Sequence, residues 1–201
     1  MFIQIEETPN PNVLKFVPGE SLTTGHVYEF KTEQESQPSP LAQRLFKLTG
    51  VDGILIGTDF VSVTKKDSES WDVLKPMILG SLMDHFSSGL PAIDPTRLHA
   101  DAEDASGDDS SYSETEQEIV TQIRDMLDTR IRPAVAVDGG DIIFVRYEKG
   151  VVYLRLKGAC SGCPSSTVTL KNGIENMLRH YIPEVLEVRA EENSDTHDPI
   201  V

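Results

Sequence analysis

Apolar and polar positions along the chain fall into two patterned blocks, separated by a stretch poor in apolar residues. In the first block, Phe2–Glu6, Asn12–Val17 and Val27–Phe30 read as short strands. Residues Thr8–Asn12, TPNPN, hold two prolines and two asparagines and predict a turn or extended loop. Ser39 can cap a helix with Pro40 at its first position. Leu41, Leu45 and Leu48 line one face of that helix, and Gly50 stops it. Ile54–Ile56 and Val61–Thr64 predict a hairpin turned around residues 57–60. Trp71, Leu74, Ile78 and Leu82 recur at helical spacing up to Phe86, which marks them as core.

The second block is patterned more sharply. Ser113 and Glu116 can form a capping box. Ile119, Ile123, Leu127 and Ile131 follow with a period of four, and Pro133 is expected to end that helix. Ile142–Tyr147 and Val151–Leu156 are β-branched runs joined by Glu148, Lys149 and Gly150, a hairpin signal. Val152, Leu154 and Leu156 alternate with Tyr153 and Arg155. A helix starts at Ser165 or Ser166, with Leu170, Ile174, Leu178 and Tyr181 on one face. Pro183 closes it, and Val185–Arg189 is a last strand. Gly173 costs about 1 kcal/mol in mid-helix relative to Ala and suggests close packing there. The element order of this block is α-β-β-α-β. The fold class expected for the whole chain is α/β in the broad sense, more specifically α+β, as two small mixed domains.

Composition supports the division. The chain has 201 residues and 38% hydrophobic residues, so each core is modest. Charge is uneven: −5 over residues 1–90, −8 over 91–118, +2 over 119–190 and −4 over 191–201, for a total of −15. Most acidity therefore lies in the connector and tail. The connector, DAEDASGDDSSYSETEQE, cannot bury enough surface to offset its ordering entropy and reads as a flexible, self-repelling linker. The expected boundaries are 1–90, a linker over 91–112, a second domain over 113–190 and an acidic tail over 191–201.

The net charge opposes nonspecific nucleic-acid binding. No apolar run approaches bilayer-spanning length, so no membrane partner is expected. The segment MFIQIEETPNPN lacks the basic and apolar regions of a signal peptide and the composition of a transit peptide. The expected location is the bacterial cytoplasm, with the mitochondrial matrix, as a mature form, the alternative.

The two cysteines, Cys160 and Cys163, lie in GACSGCPSS, residues 158–166. Two intervening residues let both sulfurs face one metal centre. Gly158 and Gly162 relieve steric limits on a tight loop. A helix beginning at Pro164 presents unpaired N–H groups and a partial positive charge, which favour thiolate over thiol. Three readings follow. The thiols are plain buried cysteines, a thioredoxin-like dithiol, or metal ligands. A redox CxxC is expected after a strand in a βαβ setting, whereas this one follows an antiparallel hairpin. Zinc needs four ligands, and none of His26, His85, His99, His180 and His197 stands at finger-like spacing from the pair. An iron–sulfur cluster also takes four protein ligands. A two-fold dimer that joins two such loops supplies four thiolates. A site shared in this way opens easily, which suits a protein that hands its cluster on.

The stretches LDTRIRP (127–133), VDGGD (137–141), LKGACSGCPSSTVTLKNGIENML (156–178) and YIPEV (181–185) resemble the Nfu family, whose shared domain is also the C-terminal part of NifU. The first block resembles the family's N-terminal domain through MFIQ, ETPNPN, LKFVPG, SPLA, GTDFVSVTK, WDVLKP and SSGLP. The resemblance implies a scaffold or carrier, not an enzyme. It receives a cluster, typically [4Fe-4S], from upstream assembly factors and delivers it to apo client proteins of the aconitase or lipoyl-synthase type. It implies Cys160 and Cys163 as the cluster's cofactor-binding, metal-ligating residues, with the cluster shared across a homodimer. The alternative activity is a CxxC thiol-disulfide oxidoreductase. Asp138 and Asp141 read as flanking a tight turn rather than as ligands, because soft thiolates suit such clusters better. His180 reads as a helix-end or surface residue. The first domain has no cysteine and is assigned partner recognition or regulation.

Overall fold

The computed structural model describes residues 2–97, 112–161 and 164–191, with backbone alone over 164–167. Most of the expected linker, the tail beyond Glu191, Gly162 and Cys163 lie outside the described residues. The chain forms two α+β units, each with its own apolar core.

In the first unit, β1 (Gln4–Glu7), β2 (Val13–Val17), β3 (Tyr28–Phe30), β4 (Val51–Ile56) and β5 (Val61–Lys65) make one antiparallel sheet in the order β1-β2-β5-β4-β3. Helices α1 (Pro40–Phe46) and α2 (Trp71–Ser87) belong to the same unit. Strand alternation sends Leu14, Phe16, Ile54, Ile56, Val61 and Val63 into the core with Leu41, Leu45, Leu74, Ile78 and Leu82 of the helices. Each such side chain, fully buried, contributes about 1.5–3 kcal/mol relative to exposure.

Ser39 caps α1 as expected, accepting from the Ala42 amide at 2.9 Å. The same hydroxyl donates to the Ala92 carbonyl at 2.6 Å, and Asp94 N–H donates to Pro38 at 2.7 Å. The first unit's packing thus runs past residue 90 into the start of the connector.

The second unit opens with α3 (Glu114–Met126), whose capping box joins Ser113 and Glu116. Pro133 does not end this helix. A π-helical turn over Leu127–Ile131 leads into α4 (Arg132–Val137), with Pro133 in its first turn. The missing N–H of proline is harmless at such a position. The π turn also explains the apolar period. Residues four apart drift about 40° per step on an α-helix, and one π turn takes back about 100°. Ile119, Ile123, Leu127, Ile131 and Val135 are all buried as a result.

Strands β6 (Gly140–Glu148) and β7 (Val151–Gly158) pair as the expected hairpin. Its two-residue turn has Lys149 at φ 49° and Gly150 at φ 85°, the pattern that matches strand twist. Helix α5 (Pro164–Tyr181) then carries the chain to β8 (Glu187–Ala190), which joins β7 in parallel. The sheet order is β6-β7-β8. Two expectations fail in α5. Tyr181 is exposed, and Ile182, just beyond the helix, fills the core. Tyr181 instead stacks under the Arg130 guanidinium at 4.9 Å. A Cβ on Gly173 would meet nothing within 4 Å, so this glycine serves no close packing. Among the described residues no helix is long and apolar enough to cross a membrane.

The two units touch through the sheet face of the first that points away from its core. Lys15, Ser62, Leu55 and Glu29 are consecutive cross-strand neighbours in β2, β5, β4 and β3. Lys15 Nζ donates to the Val137 carbonyl at 3.3 Å, and Ser62 Oγ donates to the Gly139 carbonyl at 2.7 Å. The Gly158 amide donates to Glu29 Oε1 at 2.8 Å. Leu55 is fully buried and lies against Gly158.

Ser39→Ala removes both the helix cap and the tie to Ala92. A loss of about 2 kcal/mol is expected in urea unfolding of the full chain.

Candidate cluster-binding loop

The cysteine loop grows out of the open end of the β6–β7 hairpin. Gly140 and Gly158 are its last paired residues. Beyond them the chain turns with Gly139 at φ 76° and Gly158 at φ 62°, backbone that side-chain-bearing residues rarely adopt. The Ala159 amide donates to Gly139 O at 3.3 Å, and the Ser161 amide and hydroxyl donate to Gly158 O at 3.0 and 2.8 Å. These bonds fold the segment back on itself and place Cys160 over Gly140. A Cβ on Gly140 would stand 2.5 Å from Cys160 Sγ, so the thiol rests directly on the backbone. Gly158 thus has the role the sequence assigns it. Gly162 and Cys163 lie outside the described residues, and α5 starts at the next position, Pro164.

Cys160 is buried, 6% exposed, and packs with the core of the second unit. Burial pushes its thiol up to about 12, and the nearby Asp138 and Asp141 carboxylates add to the rise. Burial and the carboxylates thus act against the thiolate that the helix N-terminus is expected to favour at Cys160 in the metal-free chain. Desolvation and two carboxylates outweigh a half-charge one loop away.

Asp141 is also buried and holds a bidentate pair with Arg132, at 2.9 Å from Nε and 2.9 Å from Nη2. Arg132 Nη1 reaches Asp128 at 3.1 Å. The Asp141 hydrogen bonds raise the Arg132 pKa above its ordinary value. This pair ties the end of the π turn to the first residues of β6, beneath the cysteine loop. It has no sequence signature, because the partners sit nine positions apart on different elements. Both Asp141 carboxylate oxygens are thus engaged by Arg132. A cleft of about 330 Å³ between the units is lined by Val27 and Phe60 on one side and Arg132 and Asp141 on the other. His180 is exposed, and among the described residues no group of three or more His, Cys, Asp or Glu is arranged to hold a metal ion.

The hairpin setting argues less about redox chemistry than the sequence suggests. β7 is the second strand of an antiparallel hairpin and also the first strand of a parallel β7–α5–β8 unit. That is the setting of a redox CxxC. In the metal-free chain Cys160 has a raised pKa, which opposes thiolate for attack and for ligation alike.

Two outcomes follow. Asp141→Ala strands a half-buried guanidinium and is expected to cost about 3 kcal/mol in chemical denaturation. In a Cys163→Ser background, Cys160 of the metal-free chain should alkylate with iodoacetamide more than about 100-fold slower at pH 8 than an exposed thiol. Its rate should climb as pH rises toward 12, the direction in which thiolate forms.

Comparison with known proteins gives matches to both units. A family profile described as "Scaffold protein Nfu/NifU N terminal" matches residues 3–89, and "NifU-like domain" matches residues 123–189. A relative named "NFU1 iron-sulfur cluster scaffold homolog, mitochondrial" from Drosophila persimilis is 49% identical over 189 residues, 94% of this chain and 64% of the relative. Its namesake from Drosophila grimshawi is 49% identical, over 93% of this chain and 60% of its own length. The chain thus spans somewhat under two thirds of the length of these relatives. Among solved structures, a NifU-like protein from Saccharomyces cerevisiae is 31% identical, with 47% of this chain and 86% of that chain covered and a TM-score of 0.41. Protein SAV1430 from Staphylococcus aureus is 30% identical, with 41% and 99% covered and a TM-score of 0.37. With both profiles matched in order and close relatives along nearly its whole length, this chain belongs to the Nfu family.

Proposed function

We propose that the chain is an iron–sulfur cluster scaffold and carrier that holds a [4Fe-4S] cluster as cargo between Cys160 and Cys163 of two copies. The observation that carries the reading is the loop itself. It holds the chain's only two cysteines and sits between a hairpin and the N-terminus of an 18-residue helix. Family membership and the relatives' names support the iron–sulfur assignment. Two thiols per chain and four ligands per cluster make the second copy necessary. The remaining partners are upstream assembly factors and apo client proteins. The relatives are named mitochondrial, which favours the mitochondrial location over the bacterial cytoplasm.

The chemistry asked of the loop is ligand supply and release, without bond-making in a substrate. Burial favours the protonated thiol at Cys160 in the metal-free chain, a form that resists alkylation and oxidation. Iron displaces the proton on loading, because ligation requires thiolate. The helix N-terminus at Pro164 then faces a negative site, where its dipole is favourable. The scaffold names of the matched family and relatives support a non-enzymatic role.

Ligation is tested by anaerobic reconstitution with iron and sulfide. Cys160→Ser and Cys163→Ser should each lose stable cluster while keeping wild-type circular dichroism. A single-cysteine variant that retains full iron would refute the ligand assignment.

Assembly is tested by native mass spectrometry. The metal-free chain should run mainly as monomer and the loaded chain as dimer, with about two irons per chain. Chelation should return monomer. A loaded monomer with four irons would sink the shared site.

A further inference from the structure

The sheet face described above is more than incidental packing. The row Lys15–Ser62–Leu55–Glu29 crosses four strands in register and points away from the first unit's core. Leu55 and Ser62 are fully buried and Lys15 is 9% exposed, although none of them belongs to that core. All four residues of the row meet the two segments that frame Cys160. Lys15 and Ser62 donate to carbonyls of residues 137 and 139, and Glu29 accepts from the amide of residue 158. Asn10 Nδ2 adds a bond to the Ser161 carbonyl at 3.3 Å. Every group recognised on the second unit is backbone, so the row reads the folded shape of the loops.

The glycines fit this contact from the other side. A Cβ on Gly139 would stand 2.8 Å from Ser62 Oγ, and one on Gly158 would stand 2.8 Å from Leu55. Both positions thus meet the row so closely that a side chain would push it off.

We propose that this row is a cap: the N-terminal domain closes over the cysteine loop in the metal-free chain and must lift before two loops can share a cluster. The inference rests on the shared-cluster reading. Two loops that ligate one cluster must come within its width of each other. A domain bonded to residues on both sides of Cys160 occupies the approach to that loop. The covalent connection permits lifting. Residues 98–111, beyond the part of the connector packed on the first unit, are long enough to span up to about 45 Å, against about 30 Å for the diameter of a domain of this size. The row uses few direct bonds, three of them through one lysine, one serine and one carboxylate, so it can release without unfolding either core. The cap gives the cysteine-free domain a task at the site. It shields the loop until a cluster or a partner competes for it.

Lys15 is the probe, because its amine lies under the cap and on the domain that carries no ligand. The full chain is labelled anaerobically with an acetylating reagent, and Lys15 is quantified by mass spectrometry against exposed Lys47 as internal reference. Three samples are compared: metal-free wild type, metal-free Glu29→Lys/Ser62→Ala, and wild type loaded with iron and sulfide. Lys15 should label slowly in the first, and about tenfold faster in the other two. The double variant should also take up cluster faster than wild type, with unchanged circular dichroism. Lys15 labelling as fast as Lys47 in the metal-free wild type overturns the closed state. A loaded chain whose Lys15 stays slow overturns the lifting step and leaves the carrier reading intact. A chain that takes up no iron overturns the carrier reading and the gating with it, and its iron content separates that result from the previous one.

Discussion

Gly139, Gly140 and Gly158 let two backbone segments cross at a distance where side chains would collide. A Cβ at Gly158 would stand 2.8 Å from the Gly139 carbonyl, and one at Gly140 would stand 2.8 Å from the Lys157 carbonyl. The crossing fixes where the hairpin ends and where the cysteine loop begins. It also fixes the bed on which Cys160 lies. The Arg132–Asp141 pair anchors the same place from below, joining the helix end to the strand that starts at Gly140. The thiol's position is thus set by backbone and by a buried ion pair, not by flexible side chains. Any residue larger than glycine at these crossings must move the loop, the cap or both.

That crossing explains why strand β4 reads as it does. Ile54, Leu55 and Ile56 are apolar in succession, which breaks the alternation of a sheet with one wet face. Both faces are covered. Ile54 and Ile56 meet the helices, and Leu55 meets Gly158 of the second unit. The polar members of the same row, Lys15, Ser62 and Glu29, each bond loop backbone, and Lys15 also pairs with Glu6 of its own unit at 3.0 Å. Such a face is mixed enough to survive exposure and specific enough to dock, as a reversible contact requires. A wholly apolar face would dock more tightly and leave an adhesive patch when open.

Much of this was legible in the sequence because local rules acted alone. The Ser39 cap, the Ser113–Glu116 box and the Lys149–Gly150 turn each depend on a few adjacent residues. The helices' core faces followed from spacing, apart from Tyr181, where the last turn hands the buried position to Ile182. Pro133 misled because a proline ends a helix only when its missing N–H is needed, and the π turn removes that need. The loop's glycine-built setting was legible. The spacing suggested a metal-binding pair, and the family resemblance implied the cluster. The protonation state of Cys160 was not readable. It depends on burial and on two carboxylates brought in by a separate turn. The Arg132–Asp141 pair and the cross-domain row were invisible for the same reason: their partners meet only after the chain has folded.

The electrostatics of the loop bear on release as well as protection. Burial and the Asp138 and Asp141 carboxylates oppose loss of the Cys160 proton. In the carrier reading, that opposition works against ligation each time Cys160 binds the cluster and is relieved when the proton returns. A permanent electron-transfer centre gains nothing from such a term. A carrier does, because the client need only offer thiols that deprotonate more readily. The acids that raise the thiol also raise the cost of the negative charge that four thiolates and a cluster bring. The +2 balance of residues 119–190 and the helix starting at Pro164 offset part of that charge.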